Sequence, residues 1–283
     1  MDQRTVLVTG ASSGIGRATA TAMAGAGAFV LAHARDHLRA TTLATELGSS
    51  GGRVAPVWGD LGSLQGVRAL AQQVEQTAPG GVHVVVNNAG AAFSQRRVSP
   101  DGVERTMAVN HLAVAALTSM LLDGLRDGAD ASGRPSRVVN LSSSLEKRGD
   151  PRLQDWSYPD RFTQLQAYSD SKLVNLAYTY ALARELSEHG VTVNAADPGN
   201  VATAFGRNAG GILKGVQLAG RLFMASPEKG ARTSVRLASD PSLDGVSGEY
   251  FRAEKPARSS AESRDPAFGD HVYGRTATVL APT

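Results

Sequence analysis

Tyr168 and Lys172 stand four residues apart in the segment Tyr168-Ser169-Asp170-Ser171-Lys172. The apolar spacing around them (Leu165, Tyr168, Leu173, Leu176, Ala177, Tyr180) predicts a helix. Residues four apart on a helix share one face, with Cβ atoms about 5–6 Å apart. A phenol and an ammonium are thereby held side by side. A free tyrosine titrates near pH ~10 and is a poor acid–base catalyst at neutrality. An adjacent positive charge favours the phenolate and lowers that value. A tyrosine tuned in this way passes a proton to or from an alcohol or carbonyl oxygen. Such a pair also arises by chance in many helices, so its meaning depends on what positions it.

The chain opens with an apolar run, Val6-Leu7-Val8, followed by Thr9-Gly10-Ala11-Ser12-Ser13-Gly14-Ile15-Gly16. Ile15, Ala18, Ala22, Met23 and Ala26 then recur at helical spacing. A strand that ends in a glycine-rich turn and opens a helix is a dinucleotide-binding arrangement. Gly10 serves the tight turn, Gly14 the approach of a pyrophosphate to the backbone, and Gly16 the packing of helix on sheet. Anionic phosphates would sit on the unpaired amides at the helix N-terminus. The alternative is an ordinary glycine-rich loop between strand and helix.

Apolar runs at 5–9, 28–33, 52–57, 82–87, 136–141, 191–196 and 248–251 predict strands. Helical patterns fill 14–27, 36–48, 63–78, 101–127, 164–189 and 227–239. This alternation implies βαβ units, a parallel sheet and helices on both of its faces. The stretch 128–137 reads as a surface loop, and the tail from Glu254 as partly irregular. No linker divides the 283 residues, and 42% of them are hydrophobic, enough for one substantial core. There is no cysteine, so disulfides and thiolate metal sites are excluded. No apolar run of membrane-spanning length and no cleavable signal pattern occurs, and the cytoplasm is the expected location. The net charge of +3 is mild, with no basic block that would suggest nucleic acid. The six histidines read as surface or helix-end residues, and no metal site is expected.

Further landmarks follow in order: Asp60-Leu61, Asn87-Asn88-Ala89-Gly90, Asn110, Ser142-Ser143, Tyr168, Lys172 and Pro198-Gly199. Together these segments resemble the short-chain dehydrogenase/reductase family along nearly the whole chain. Val109-Asn110-His111-Leu112, Val139-Asn140-Leu141-Ser142-Ser143, Tyr168-Ser169-Asp170-Ser171-Lys172-Leu173 and Gly248-Glu249-Tyr250-Phe251 are similar to its retinol-dehydrogenase-like branch. The resemblance implies one Rossmann-type domain over 1–283, with a doubly wound, seven-stranded parallel sheet and a substrate lid at about 200–225.

It also implies roles. Ser143 would hydrogen-bond the substrate oxygen, and Tyr168 would be the acid in reduction and the base in oxidation. Lys172 would lower the Tyr168 pKa and hold the nicotinamide ribose. Asn110 would hold a water linking Lys172 to solvent. In addition to Gly10, Ser12, Ser13, Gly14, Ile15 and Gly16, the cofactor would touch Asp60, Leu61, Asn88, Ala89, Gly90, Pro198, Gly199, Val201 and Thr203. Asp60 has a second reading, as cap of the helix from Ser63. Asn88-Ala89-Gly90 has one as a structural turn, and Thr203 as a plain loop hydroxyl.

The second strand ends His33-Ala34-Arg35-Asp36. Ala34 occupies the place where NAD-type relatives carry an acid. Arg35 follows, and a guanidinium matches a phosphate in charge and bidentate geometry. NADP(H) is therefore expected over NAD(H), with Arg17 adding positive potential. The competing reading makes Arg35 a solvated arginine and Asp36 either an N-cap or a ribose ligand.

The expected reaction is hydride transfer between nicotinamide and a ketone or alcohol. The insert 145–164, with Trp156, Tyr158 and Phe162, and the apolar stretch 204–225 point to a lipophilic or polycyclic substrate, or else to packing of the stretch on its own domain, on a membrane or on a second subunit. An NAD-dependent alcohol dehydrogenase and a non-catalytic NADPH-binding regulator are the alternatives. An epimerase or dehydratase of the longer nucleotide-sugar branch is disfavoured, since its usual Gly-x-x-Gly-x-x-Gly and larger C-terminal region are absent. Helices 101–127 and 164–189 would pair with a second copy, giving a homodimer or homotetramer.

Overall fold

Thr5–Val8 (β1) and Val84–Asn87 (β4) are buried along their whole lengths. Strands covered on both faces read as unbroken apolar runs, as Val6-Leu7-Val8 and Val84-Val85-Val86 do. The computed structural model describes residues 1, 4–158, 160, 162–199 and 225–281. Phe29–Ala34 (β2), Arg53–Trp58 (β3), Ser136–Leu141 (β5), Val191–Asp197 (β6), Tyr250–Arg252 (β7) and Lys255–Pro256 (β8) complete one sheet. Its order is β3-β2-β1-β4-β5-β6-β7-β8. The strands pair in parallel as far as β7, and β7–β8 is a short antiparallel hairpin added to the seven expected strands.

Alternate residues of β1 face opposite layers. Val6 and Val8 pack with Met23 of α1 (Gly14–Gly25), Leu43 of α2 (His37–Ser49) and Leu237 of a helix at Pro227–Ser239. Leu7 faces the other layer, which holds Leu70 of α3 (Leu64–Thr77), Leu117 of α4 (Arg105–Met120) and Val174 of a long helix at Gln164–Glu185. The helix starts follow capping chemistry: Asp36, Ser63 and Thr163 each accept a bond from a backbone N–H three residues on.

The expected helix over 101–127 is two helices. α4 carries a π turn at Ala108–Leu112, and α5 (Leu122–Ser132) leaves it at 55°. The expected loop at 128–137 shrinks accordingly, because α5 runs on to Gly133, whose φ of +62° closes the helix. The Gln164–Glu185 and Pro227–Ser239 helices are α6 and α7. The tail, expected to be partly irregular, forms α8 (Pro266–Leu280), started by Asp265 and Pro266.

α8 lies along α6. Tyr273 stacks on Tyr178 with ring centroids 5.7 Å apart, and Arg184 pairs with Asp270 at 2.5 Å. His111 of α4 meets Thr276 at 2.8 Å. The chain itself thus covers part of α6, one of the two helices expected to meet a second copy. Among the described residues no single helix is long and apolar enough to cross a membrane.

Candidate active site

The strand order reverses direction between β1 and β4, and ligands of open α/β sheets bind outside the carboxyl ends of the strands at such a point. A crevice of about 1180 Å³ opens there. Its floor is the loop from β1 to α1. Gly10 has φ +65°, and a Cβ on Gly16 would come within 2.4 Å of Gly10 O and 2.3 Å of Asn88 Nδ2. Glycine is therefore required at both positions for turn and helix to pack this closely. Ser13, extended, makes no side-chain cap bond, so the amides of Gly14, Ile15 and Gly16 are left for an anion. Ser12 and Ser13 line the same floor.

Asn88 holds the turn after β4 in place. Its Nδ2 donates to Thr9 O at 2.8 Å and locks the β4 end to the glycine loop. Ala89 N donates to Thr9 Oγ1 at 3.0 Å, and Gly90 continues the wall. Asp60 is not the cap of α3, which is Ser63. Asp60 accepts from Gly62 N at 3.0 Å, and its other oxygen lies 3.8 Å from Arg105, whose guanidinium covers the Phe93 ring. Asp60, Leu61, Arg105 and Phe93 all line the crevice.

At the β2 end, Asp36 is engaged as the cap of α2, with Arg39 N at 3.0 Å. Arg17 is paired with Glu46 at 2.7 Å and Arg39 with Asp36 at 3.5 Å. Arg35 is exposed, lines the crevice and has no carboxylate within salt-bridge range among the described residues.

His33 was expected at the surface but is buried beneath this corner. Its Nδ1 accepts from Gly10 N and its Nε2 donates to Gly59 O, both at 3.0 Å, tying the turn after β1 to the end of β3. Burial pulls its pKa down to about 4. His83 and His111 are likewise buried, whereas His37, His189 and His271 are exposed as expected. Among the described residues no cluster of metal-ligating side chains occurs.

At the other end of the crevice α6 delivers Tyr168 and Lys172, 8% and 3% exposed. Lys172 Nζ lies 5.8 Å from the Tyr168 ring centroid and donates to Leu141 O at 2.7 Å. Ser143 follows β5, hydrogen-bonds the Tyr168 hydroxyl and accepts from Leu145 N at 3.3 Å. Asn110 sits in the π turn of α4. Its Oδ1 accepts from Ala91 N at 2.8 Å, and its Nδ2 donates to Ala91 O and to Ser171 Oγ, both at 2.9 Å. The Asn110 side chain thus ties the 90–91 loop to Ser171 of α6.

The expected lowering of the Tyr168 pKa by Lys172 is not what this structure shows. Burial pushes the phenol up, the Ser143 hydrogen bond opposes it, and the Asp197 charge adds to the rise. Burial also draws Lys172 down, to about 8, with Asp197 opposing. At neutral pH the crevice therefore holds a protonated phenol beside an ammonium.

Pro198 and Gly199 line the crevice beside them. Val201, Thr203 and the expected lid lie outside the described residues, apart from Ala225. The insert aromatics expected at the substrate do not line the crevice. Trp156 packs edge-on to His111 at 5.2 Å beneath the Arg275 guanidinium, and Tyr158 is 5% exposed with its hydroxyl on Asp170; Phe162 packs on Tyr158. The apolar crevice wall is made by Ala92, Phe93 and Leu145. Asp170 and Asp197, both buried, were not singled out from the sequence. The Asp197-Pro198-Gly199 turn signal was readable, but their partners are distant in the chain.

This sequence and fold are similar to those of known proteins. The family model for short chain dehydrogenases matches residues 4–210. Mouse retinol dehydrogenase 14 is 38% identical over 89% of this chain and 78% of its own. Mouse polyprenol dehydrogenase is 38% identical over 93% of this chain and 79% of its own. The Pseudomonas aeruginosa RhlG/NADP active-site complex superimposes with a TM-score of 0.72 at 28% identity, covering 89% of this chain and 94% of that one. The chain belongs to the short-chain dehydrogenase/reductase family, in its retinol-dehydrogenase-like branch, and is an oxidoreductase of alcohol and carbonyl groups. The open glycine cradle and the unpaired α1 amides fit a nicotinamide dinucleotide.

Proposed function

We propose that the protein reduces lipophilic or polycyclic ketones and related carbonyl compounds with NADPH. The observation that carries this reading is the placement of Tyr168: buried in the crevice, bonded to Ser143, beside Lys172, and protonated as a phenol is at neutrality. That is the form needed to donate a proton to a carbonyl oxygen as it becomes an alkoxide. A bound nicotinamide supplies the hydride. Ser143 hydrogen-bonds the substrate oxygen and orients it toward Tyr168. Lys172 holds positive charge beside the phenol as its proton leaves, and holds the ribose hydroxyls. Asn110 fixes the 90–91 loop against α6 and would hold the relay water that links Lys172 to solvent.

The preference for NADP(H) rests on Arg35, which has no carboxylate partner among the described residues, and on Asp36, whose capping bond to Arg39 N favours a structural role over ribose binding. The glycine loop with Ser12, Ser13 and Ile15, together with Asp60, Leu61, Asn88, Ala89, Gly90, Pro198 and Gly199, would hold the remainder of the dinucleotide; Val201 and Thr203 are assigned to it by the family pattern alone. The lipophilic substrate class is supported by the Ala92, Phe93 and Leu145 wall and by the retinol and polyprenol dehydrogenases among the relatives. A cytoplasmic location and a homodimer or homotetramer belong to the same proposal, and the cover of α8 on α6 favours a contact elsewhere. The test is loss of NADPH absorbance against a panel of carbonyl compounds. Turnover of apolar ketones is expected, and a panel inert with both NADPH and NADH rejects the reading.

A further inference from the structure

Asp197 ends β6 and is 1% exposed. Alternate strand residues share a face. Val193 and Ala195 pack in the layer of α6, with Val174 and Leu176. Asp197 therefore projects to the side of the sheet that carries Tyr168 and Lys172. Two donors clamp it: the Tyr250 hydroxyl gives to Oδ2 at 2.5 Å, and Gly199 N gives to Oδ1 at 2.8 Å. Arg252 Nε stands 3.7 Å from Oδ2. The bond to Gly199 also folds the Asp197-Pro198-Gly199 turn that lines the crevice.

Among the described residues Lys172 has no other counter-charge. From β5 it meets the neutral carbonyl of Leu141, and α4 presents the neutral amide of Asn110 nearby. Glu146, in the turn at Ser144–Arg148, is occupied with Ser260 N and Oγ. An ammonium removed from water loses its proton more easily unless an opposite charge is near.

We propose that Asp197 is a positioning residue: its clamped carboxylate is the counter-charge that keeps Lys172 an ammonium in the desolvated crevice, while its turn fixes Pro198 and Gly199. The inference rests on the reading of Tyr168 and Lys172 as the proton-handling pair. Burial draws the Lys172 pKa down to about 8, and the Asp197 charge opposes that pull.

The test is a titration of the Lys172 side chain by carbon NMR, assigned with Lys172→Arg, alongside the pH profile of carbonyl reduction. Asp197→Asn should lower the Lys172 midpoint by about one pH unit, and the alkaline limb of kcat should move down with it. Tyr250→Phe loosens the clamp but keeps the carboxylate, and should move that limb less than Asp197→Asn does; an equal shift overturns the proposal. The exposed Arg252→Gln variant removes a competing cation and should raise the midpoint; it serves where Asp197→Asn fails to fold. An unmoved midpoint in Asp197→Asn, or in Arg252→Gln where Asp197→Asn does not fold, overturns the proposal. A shifted midpoint in a protein that reduces no carbonyl sinks the functional reading and leaves the inference standing.

Discussion

The hydroxyl of Tyr158 donates to Asp170 Oδ2 at 2.7 Å, and this bond ties the insert after β5 to α6 two residues beyond Tyr168. Asp170 Oδ1 takes Asp150 N and Gln166 Nε2, both at 2.7 Å, so the buried carboxylate is satisfied from three directions. Tyr158 adopts φ +54°, an uncommon conformation for a bulky residue, which persists where its surroundings over-determine it. The insert aromatics thus brace α6, and of the insert Leu145 lines the crevice.

Removing that hydroxyl with Tyr158→Phe should cost about 1.5–3 kcal/mol of stability, the usual worth of a hydrogen bond to a charged group. Urea unfolding measures it. If the insert is a brace, KM for the carbonyl substrate stays near its wild-type value while the unfolding midpoint falls.

Acid should destabilise the protein through its buried histidines as pH falls below about 6.5. Burial lowers His33 to about 4 and His111 to about 3, below the ordinary ~6.5 of the unfolded chain. Between these values the unfolded chain binds protons that the native state refuses, so this contribution is intact above about pH 6.5 and is lost as pH falls toward 4. The unfolding free energy, measured with urea, should drop by on the order of 1.4 kcal/mol per pH unit for each histidine. His33→Gln should flatten that slope.

These histidines also show what the sequence conceals. Val6-Leu7-Val8, the glycine loop and the Tyr168–Lys172 spacing were legible because each is a local pattern with a local cause. His33 was not, since its partners Gly10 and Gly59 come from two other strand ends. Asp197 was hidden for the same reason, its main donor Tyr250 lying beyond the next helix. The α8 start at Asp265-Pro266 was readable. The polar composition of the tail masked a helix that buries chiefly Gly269, Val272 and Thr276 along one narrow stripe.

Arg35→Ala should weaken NADPH by roughly 10–100-fold, since a charge-assisted bond to a phosphate is worth about 1.5–3 kcal/mol. NADH, lacking that phosphate, should bind as before. Competition binding by cofactor fluorescence tests this, and equal losses for both cofactors would contradict the assignment.

Because α8 covers α6, the native particle should not assemble through that face. Light scattering on the full chain reports the assembly. Substituting exposed residues of α8 such as His271 should leave the measured mass unchanged, whereas a change in mass would place the contact on this helix.

In the proposed reaction, carbonyl reduction depends above all on the Tyr168 proton. Tyr168→Phe removes it while keeping the ring that fills the crevice beside Lys172 and Ser143. Carbonyl turnover with saturating NADPH should fall by about 10²–10⁴, with the dissociation constant for NADPH little changed. Turnover equal to that of the unaltered protein would contradict this role.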